Sequence, residues 1–299
     1  LEFGVQIWQA IVLGLVEGIT EYLPISSTGH LILAAHFMGL AKDPQTKHAV
    51  DAFNIVIQGG AILAVLGLYW PRVVQMVRGV LGRDPAGLRL VVALVCAFLP
   101  AAVLGKLLKE HIESALFYAG PVTAAMILGG AYMMVVDEWR KGRFGMVPGP
   151  GATEMDVTDV TPRQAVAIGL MQCIAMWPGT SRSMMTITGG MFVGLRPKQA
   201  AEFSFLLGLP TLTAATGYSL YKNLSHAKQT GTPNLFELLG ATNCAVGIAV
   251  AAVSAAIAVK WLVGFLNRHG LTPFGWYRIA LGIVIFALSM AGAMTIAPK

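Results

Sequence analysis

Apolar residues fill this chain in long, nearly uncharged stretches. Six have the length to cross a bilayer as helices: Ala52 to Tyr69, Leu90 to Leu108, Val122 to Val136, Ala201 to Tyr221, Leu238 to Leu262 and Phe274 to Ile296. A helical span needs about 20 such residues, so the pattern predicts an all-α polytopic membrane protein. Two further regions break the rule. Glu17 and Glu21 interrupt Val5 to Leu23, and Ser27 to Leu40 is too short to cross. Pro24 lies between them and pushes its predecessor out of the α region. The pair reads as a helix–break–helix hairpin that dips into the membrane and returns to the same side. Gln164 to Trp177 and Ser181 to Leu195 repeat this plan around Pro178.

The repetition extends through the chain. Gly14-Leu15-Val16-Glu17-Gly18-Ile19 aligns with Gly169-Leu170-Met171-Gln172-Cys173-Ile174, and Pro24-Ile25-Ser26-Ser27 with Pro178-Gly179-Thr180-Ser181. Ala52-Phe53-Asn54 then matches Glu202-Phe203-Ser204, and Pro121 with Gly130 matches Pro273 with Gly282. One membrane domain over 1–299 is therefore expected, with one half at 5–140, a connection at 141–161 and a second half at 162–297. Each half holds a re-entrant hairpin and three spans. Three is odd, so the second half would be inserted upside down, an inverted-topology repeat with broken helices meeting near the midplane. The connection is rich in Gly and Pro (Pro148-Gly149-Pro150-Gly151) and reads as a flexible cytoplasmic link. It ends in Thr161-Pro162-Arg163-Gln164, a capping box with proline at the first helical position.

Composition agrees with this picture. Of 299 residues, 56% are hydrophobic and 12% charged, against about 25% charged in soluble domains. The net charge of +6 comes from basic residues spread over short loops, which argues against a nucleic-acid partner. With the N-terminus outside, the larger share of them, including Arg72, Arg78, Arg83, Arg89, Arg140, Lys141 and Arg143, is cytoplasmic, as the positive-inside rule favours. The first hairpin then opens to the outer face. Cys96, Cys173 and Cys244 lie in apolar segments without ligand spacing and read as packing residues. Glu17 and Glu21 also break the first apolar run as a cleavable signal.

Chemistry concentrates at the two breaks. Glu17 and Glu21 are one turn apart on one helix face, a spacing that suits a hard divalent cation or the orientation of His30. Ser26 or Ser27 can cap the next helix, whose free N–H groups suit an anion. His30 stands within a turn of both serines, so its ring can reach a serine oxygen. In the second break, Trp177-Pro178-Gly179-Thr180-Ser181-Arg182-Ser183, the new element is Arg182. A charged residue in so apolar a setting is by default functional. Hydroxyls, helix N-termini and an arginine together make a phosphate site.

These residues resemble a known family, the undecaprenyl diphosphate phosphatases of the BacA type. The resemblance rests on Glu17-Gly18-Ile19-Thr20-Glu21 with Pro24-Ile25-Ser26-Ser27-Thr28-Gly29-His30, on Pro178-Gly179-Thr180-Ser181-Arg182-Ser183 with Thr186, and on Glu202-Phe203-Ser204-Phe205-Leu206-Leu207. It implies removal of the terminal phosphate from a C55 isoprenoid diphosphate in the bacterial inner membrane, recycling the carrier lipid of cell-wall synthesis. It also implies a divalent cation, Mg²⁺ or Ca²⁺. Under it, Ser27 attacks phosphorus, and His30 takes the proton and later activates water. Glu21 and Arg182 complete the catalytic set, although His30 as the nucleophile stays open. Ser26, Thr28, Ser181, Ser183, Thr186 and Gln172 form the substrate-binding set, and Glu17 with Glu21 the metal set. Membrane lipid is a further partner, and a homo-oligomer is compatible with the sequence. Thr180, Met184-Met185 and a long connection depart from the family pattern.

Other classes compete. A secondary transporter for an organic anion shares inverted repeats and broken helices but needs no serine and histidine one turn apart. A lipid flippase would exploit the same two-fold plan. The type 2 phosphatidic acid phosphatases need a histidine soon after the Ser-Arg element, and here none follows Arg182 until His226.

Overall fold

A computed structural model describes residues 5–40, 44–143, 155–231, 234–294 and 296. Among them are twelve α-helices, one 3₁₀ turn and no strand. The first half runs α1 (Ile7–Tyr22), α2 (Ser27–Phe37), α3 (Pro44–Leu68), α4 (Trp70–Val80), α5 (Pro85–Leu116) and α6 (Ala119–Arg140). After the 3₁₀ turn Val157–Asp159 come α7 (Pro162–Ile174), α8 (Arg182–Phe192), α9 (Pro197–Thr230), α10 (Leu235–Leu239), α11 (Ala241–His269) and α12 (Thr272–Met290). The two hairpins fall where the sequence places them, as α1–α2 and α7–α8.

Five helices are long and apolar enough to cross a membrane: Ala49–Leu68, Pro85–Leu108, Ala119–Arg140, Ala241–His269 and Thr272–Met290. The protein is a multi-pass, all-α membrane protein. The expected span Ala201 to Tyr221 lies within α9, which is long but not among the five. Its polar residues dilute it because they face protein: Glu202 meets Arg72, Ser204 meets Thr186, Thr211 meets Gln172 and Thr216 meets Gln58. Two spans also change their ends. Gly240, at φ 78°, separates α10 from α11, so that span starts at Ala241 and continues to His269. The last helix stops at Met290, followed by Gly292 at φ 68°.

Close backbone approach holds the hairpins to the long helices. α1 packs along α11, and α7 along α5. A Cβ on Gly18 would strike the Ala251 carbonyl and the Ser254 hydroxyl, and one on Gly169 would strike the Ala97 carbonyl. Small residues at such crossings let helices gain dispersion contact where lipid supplies no hydrophobic drive.

The connection is only partly covered. Phe144 to Glu154, with Pro148-Gly149-Pro150-Gly151, lie outside the described residues. The part from Met155 onward is docked rather than free. Val157 and Val160 are buried, and Asp156 binds the Arg72 guanidinium at 2.6 Å. Arg72 also holds Glu202 of α9 at 2.8 Å, tying the connection to both halves. Burial would raise the Asp156 carboxyl, but hydrogen bonds from Arg72 and the Thr158 amide hold it below its ordinary value. The Thr161–Gln164 capping box forms as expected.

Arg278 of α12 is 0% exposed. It donates to the carbonyls of Ala125 (3.1 Å), Met126 (3.3 Å), Gly179 (2.8 Å) and Pro24 (3.4 Å). One side chain thus fastens both hairpin breaks to α6. Substituting Arg278→Met should strand these acceptors, at about 1–3 kcal/mol for each one left unsatisfied. A clear fall in the melting temperature of the detergent-purified variant is expected, and an unchanged melt would remove Arg278 as the fastener.

Candidate active site

Each break is set by a serine in a backbone conformation that side chains rarely take. Ser26 (φ 73°, ψ 101°) precedes α2, and Ser181 (φ 77°, ψ 115°) precedes α8. They are the only non-glycine residues with positive φ among the described residues. Such backbone costs of order 1–3 kcal/mol and persists only where its surroundings enforce it. The pairing also shifts the sequence alignment of the breaks by one: Ser26 corresponds to Ser181, Pro24 to Gly179 and Ser27 to Arg182. The two caps differ. Ser181 Oγ accepts from the Met184 amide at 3.3 Å, whereas the Ser26 side chain makes no capping bond, leaving the α2 terminus without that partner.

The breaks touch. Ser183 Oγ of the second donates to the Leu23 carbonyl of the first at 2.8 Å. Beside this stitch lies a chain of polar groups joined through Glu21. Ser27 Oγ donates to Glu21 Oε2 at 2.9 Å, and Arg182 Nη2 donates to Glu21 Oε1 at 2.9 Å. The other arm of the guanidinium, Nη1, donates to the Ser204 carbonyl of α9 at 3.0 Å. The Tyr22 ring lies 5.6 Å from its centre, within cation–π range. Arg182 Nε is buried without a partner, so the fork keeps donors in reserve.

His30 is placed differently from expectation. Its Nδ1 donates to the Ser26 carbonyl at 2.7 Å, and its Nε2 meets the Tyr277 hydroxyl at 2.7 Å. The left-handed turn at Ser26 aims that carbonyl at the ring, while Ser27, on the first turn of α2, points back to α1. The hydroxyl expected to pair with His30 pairs with Glu21 instead.

The remaining expected residues divide. Thr28 is half-buried on the first turn of α2, near the cluster in sequence. Ser183 and Thr186 are fully buried, with Thr186 Oγ1 at 2.6 Å from Ser204 Oγ. Their hydroxyls bond within the protein, Ser183 to the Leu23 carbonyl and Thr186 to Ser204. Gln172 is buried on α7 with Thr211 as its contact and its Nε2 unpartnered; no bond joins it to the Glu21 cluster.

For a divalent cation the donor set is partial but chemically apt. Glu17 is 1% exposed, and its Oε2 is buried with no hydrogen-bond partner. Glu21, one turn on, has each oxygen already in one hydrogen bond. No group of three or more His, Cys, Asp or Glu among the described residues forms a complete cage. Mg²⁺ is commonly held by one or two carboxylates plus substrate phosphate and water, and Glu17 with Glu21 fits that pattern.

Sequence reading missed Tyr277 and Ser204 and gave Arg278 no role. Arg278 was detectable as a charge within an apolar span. Ser204 stands in the matched Glu202-Phe203-Ser204 element, but its bond to Arg182 is a backbone one that no residue type reveals. Tyr277 looks like an ordinary interfacial aromatic until the fold sets it against His30.

The chain is similar to known proteins over most of its length. The family described as "Bacitracin resistance protein BacA" matches residues 10–284, which include every residue of the cluster. An "Undecaprenyl-diphosphatase" of Sorangium cellulosum (strain So ce56) is 46% identical over 94% of this chain and 86% of its own length. "Undecaprenyl-diphosphatase 2" of Rhodospirillum rubrum is 44% identical, covering 97% of this chain and 98% of that protein. A third "Undecaprenyl-diphosphatase", from Cereibacter sphaeroides (strain ATCC 17029 / ATH 2.4.9), is 42% identical over 95% and 97%. With the family model and these relatives matching it almost end to end, the chain belongs to the BacA family.

Proposed function

We propose that the two hairpin breaks form the active site of an undecaprenyl diphosphate phosphatase, with Glu21 joining nucleophile and phosphate clamp. The chain releases the terminal phosphate of an isoprenoid diphosphate lipid. The observation that carries the site assignment is the continuous chain Ser27–Glu21–Arg182, with bonds of 2.9 Å on either side of the carboxylate. It links a hydroxyl, a proton acceptor and an anion-binding fork across two segments far apart in sequence. An anion transporter needs the fork but not the hydroxyl bonded to a carboxylate.

The terminal phosphate enters between the breaks. The spare N–H groups of Arg182 and the α2 N-terminus take its oxygens, a positioning and charge-stabilising role suited to phosphoryl transfer. Phosphate at Arg182 competes with Glu21 Oε1, so substrate arrival frees the carboxylate from its ion pair. Ser27 Oγ then bonds to phosphorus, its proton passes to Glu21 Oε2, and the bond to the prenyl monophosphate breaks with its electron pair on the leaving oxygen. In the second step His30 takes a proton from the water that cleaves phosphoserine. Glu17, with Glu21, would hold a divalent cation, which when bound supplies charge to offset the phosphate oxygens.

Several features support an inverted-topology repeat around this site. Ser26 and Ser181 share one rare backbone geometry, Gly14 and Gly169 sit at matching helix crossings, and α1 on α11 mirrors α7 on α5. The basic loops favour an outside N-terminus in the bacterial inner membrane, with the site open to the periplasmic face.

The direct test is phosphate release from a long-chain prenyl diphosphate by purified protein in detergent, where no gradient exists; no release would favour a transporter. Within that assay, His30→Ala should lower kcat at least about 10²-fold, the lower range of general acid–base help. A folded His30→Ala protein with near-normal turnover would remove the base from the scheme. Arg182→Lys keeps the charge but loses the planar fork. It should lose about 10²-fold or more in kcat, the scale of one preorganised donor, with KM less affected because the apolar tail supplies much of the binding. A risen KM with kcat unchanged would instead assign Arg182 to uniform binding.

A further inference from the structure

The second half reaches the reaction at more than Arg182. Tyr277, on α12, sets its hydroxyl 2.7 Å from His30 Nε2. The two rings stack, with centroids 5.6 Å apart and planes within 9°. The next residue is Arg278, whose four carbonyl bonds fix this turn of α12 against both breaks. Tyr277 is therefore held in place by the residue that also holds the site together, although it is itself 46% exposed.

The partners determine the direction of the bonds. A carbonyl only accepts, so His30 Nδ1 must carry the proton shared with Ser26 O. In neutral imidazole Nε2 is then the lone-pair nitrogen, and the Tyr277 O–H donates to it. Ser26 alone would fix one end of the ring and leave it free to tilt. The hydroxyl fixes the other end, and the stacked ring fixes the plane.

We propose that Tyr277 serves His30 in the second step: it holds the imidazole as the Nδ1–H tautomer and relays the proton, its O–H passing to Nε2 while its oxygen takes a proton from the attacking water. This rests on His30 acting as the base in the second step. Tyr277 acts through His30, so its effect must vanish when the imidazole does.

A double-mutant cycle measures that dependence. Values of kcat and KM are determined for wild type, Tyr277→Phe, His30→Ala and the double variant on a long-chain prenyl diphosphate in detergent. Tyr277→Phe keeps the stacking ring and loses one oxygen. It should lower kcat by about 10-fold, part of the roughly 10²–10⁴ that a positioned base supplies, and leave KM within about 2-fold. On the His30→Ala background the same change should cost less than about 2-fold. If Tyr277→Phe purifies with a lowered melting temperature, 4-aminophenylalanine at 277 restores a donor on the same ring and should recover most of the rate. Equal losses on both backgrounds, no loss in Tyr277→Phe, or no rescue by the donor-bearing ring would each overturn the proposal. Those outcomes differ from failure of the underlying reading, in which wild type releases no phosphate or His30→Ala turns over normally.

Discussion

Breaking a helix frees backbone carbonyls that must find new partners, and this fold breaks two helices at one place. Four N-terminal N–H groups and four C-terminal carbonyls are left over at each helix end, and unpaired polar groups cost several kcal/mol each in hydrocarbon. The solution is a single buried guanidinium. Arg278 donates to Pro24 O of one break and Gly179 O of the other, and to Ala125 O and Met126 O of α6. None of these partners is a carboxylate; backbone dipoles receive the charge. With the breaks pinned, Ser183 can stitch them together and Arg182 can reach Glu21.

Glu21 is the second dependency. Its two oxygens receive Ser27 from its own hairpin and Arg182 from the other, so the site exists only when both hairpins are docked. The walls are arranged for the same end. Thr186 binds Ser204 Oγ while the Ser204 carbonyl takes Arg182 Nη1, which makes α9 the rail along which the clamp is aligned. Part of the polar content of α9, Ser204 above all, thus faces the cluster rather than the bilayer.

Much of this was legible in the sequence, because the signals are strong and local. Acids, hydroxyls and prolines in an apolar background mark the two hairpins, and the repeated motifs bring distant segments into one frame. What was not legible depends on direction rather than residue type. Which serine bears the strained φ, that Ser27 faces Glu21 and not His30, and that Ser183 and Thr186 turn into the wall all follow from backbone geometry at the break. Tyr277 lay in an apolar helix far along the chain, and only the packing of α12 on α6 beside α2 shows why it matters. Span ends were displaced for a simpler reason: Gly240 and Gly292 stop helices at positive φ, where hydropathy alone sees continuity.

The central claim is that catalysis occurs between the two breaks with Glu21 as their common partner. A structure of the protein with a non-hydrolysable prenyl diphosphate analogue tests it most directly. The account predicts the terminal phosphorus within reach of Ser27 Oγ, its oxygens on Arg182 and the α2 amides, and Arg182 Nη2 drawn away from Glu21. A diphosphate bound elsewhere, with the Ser27–Glu21–Arg182 chain undisturbed, would contradict it.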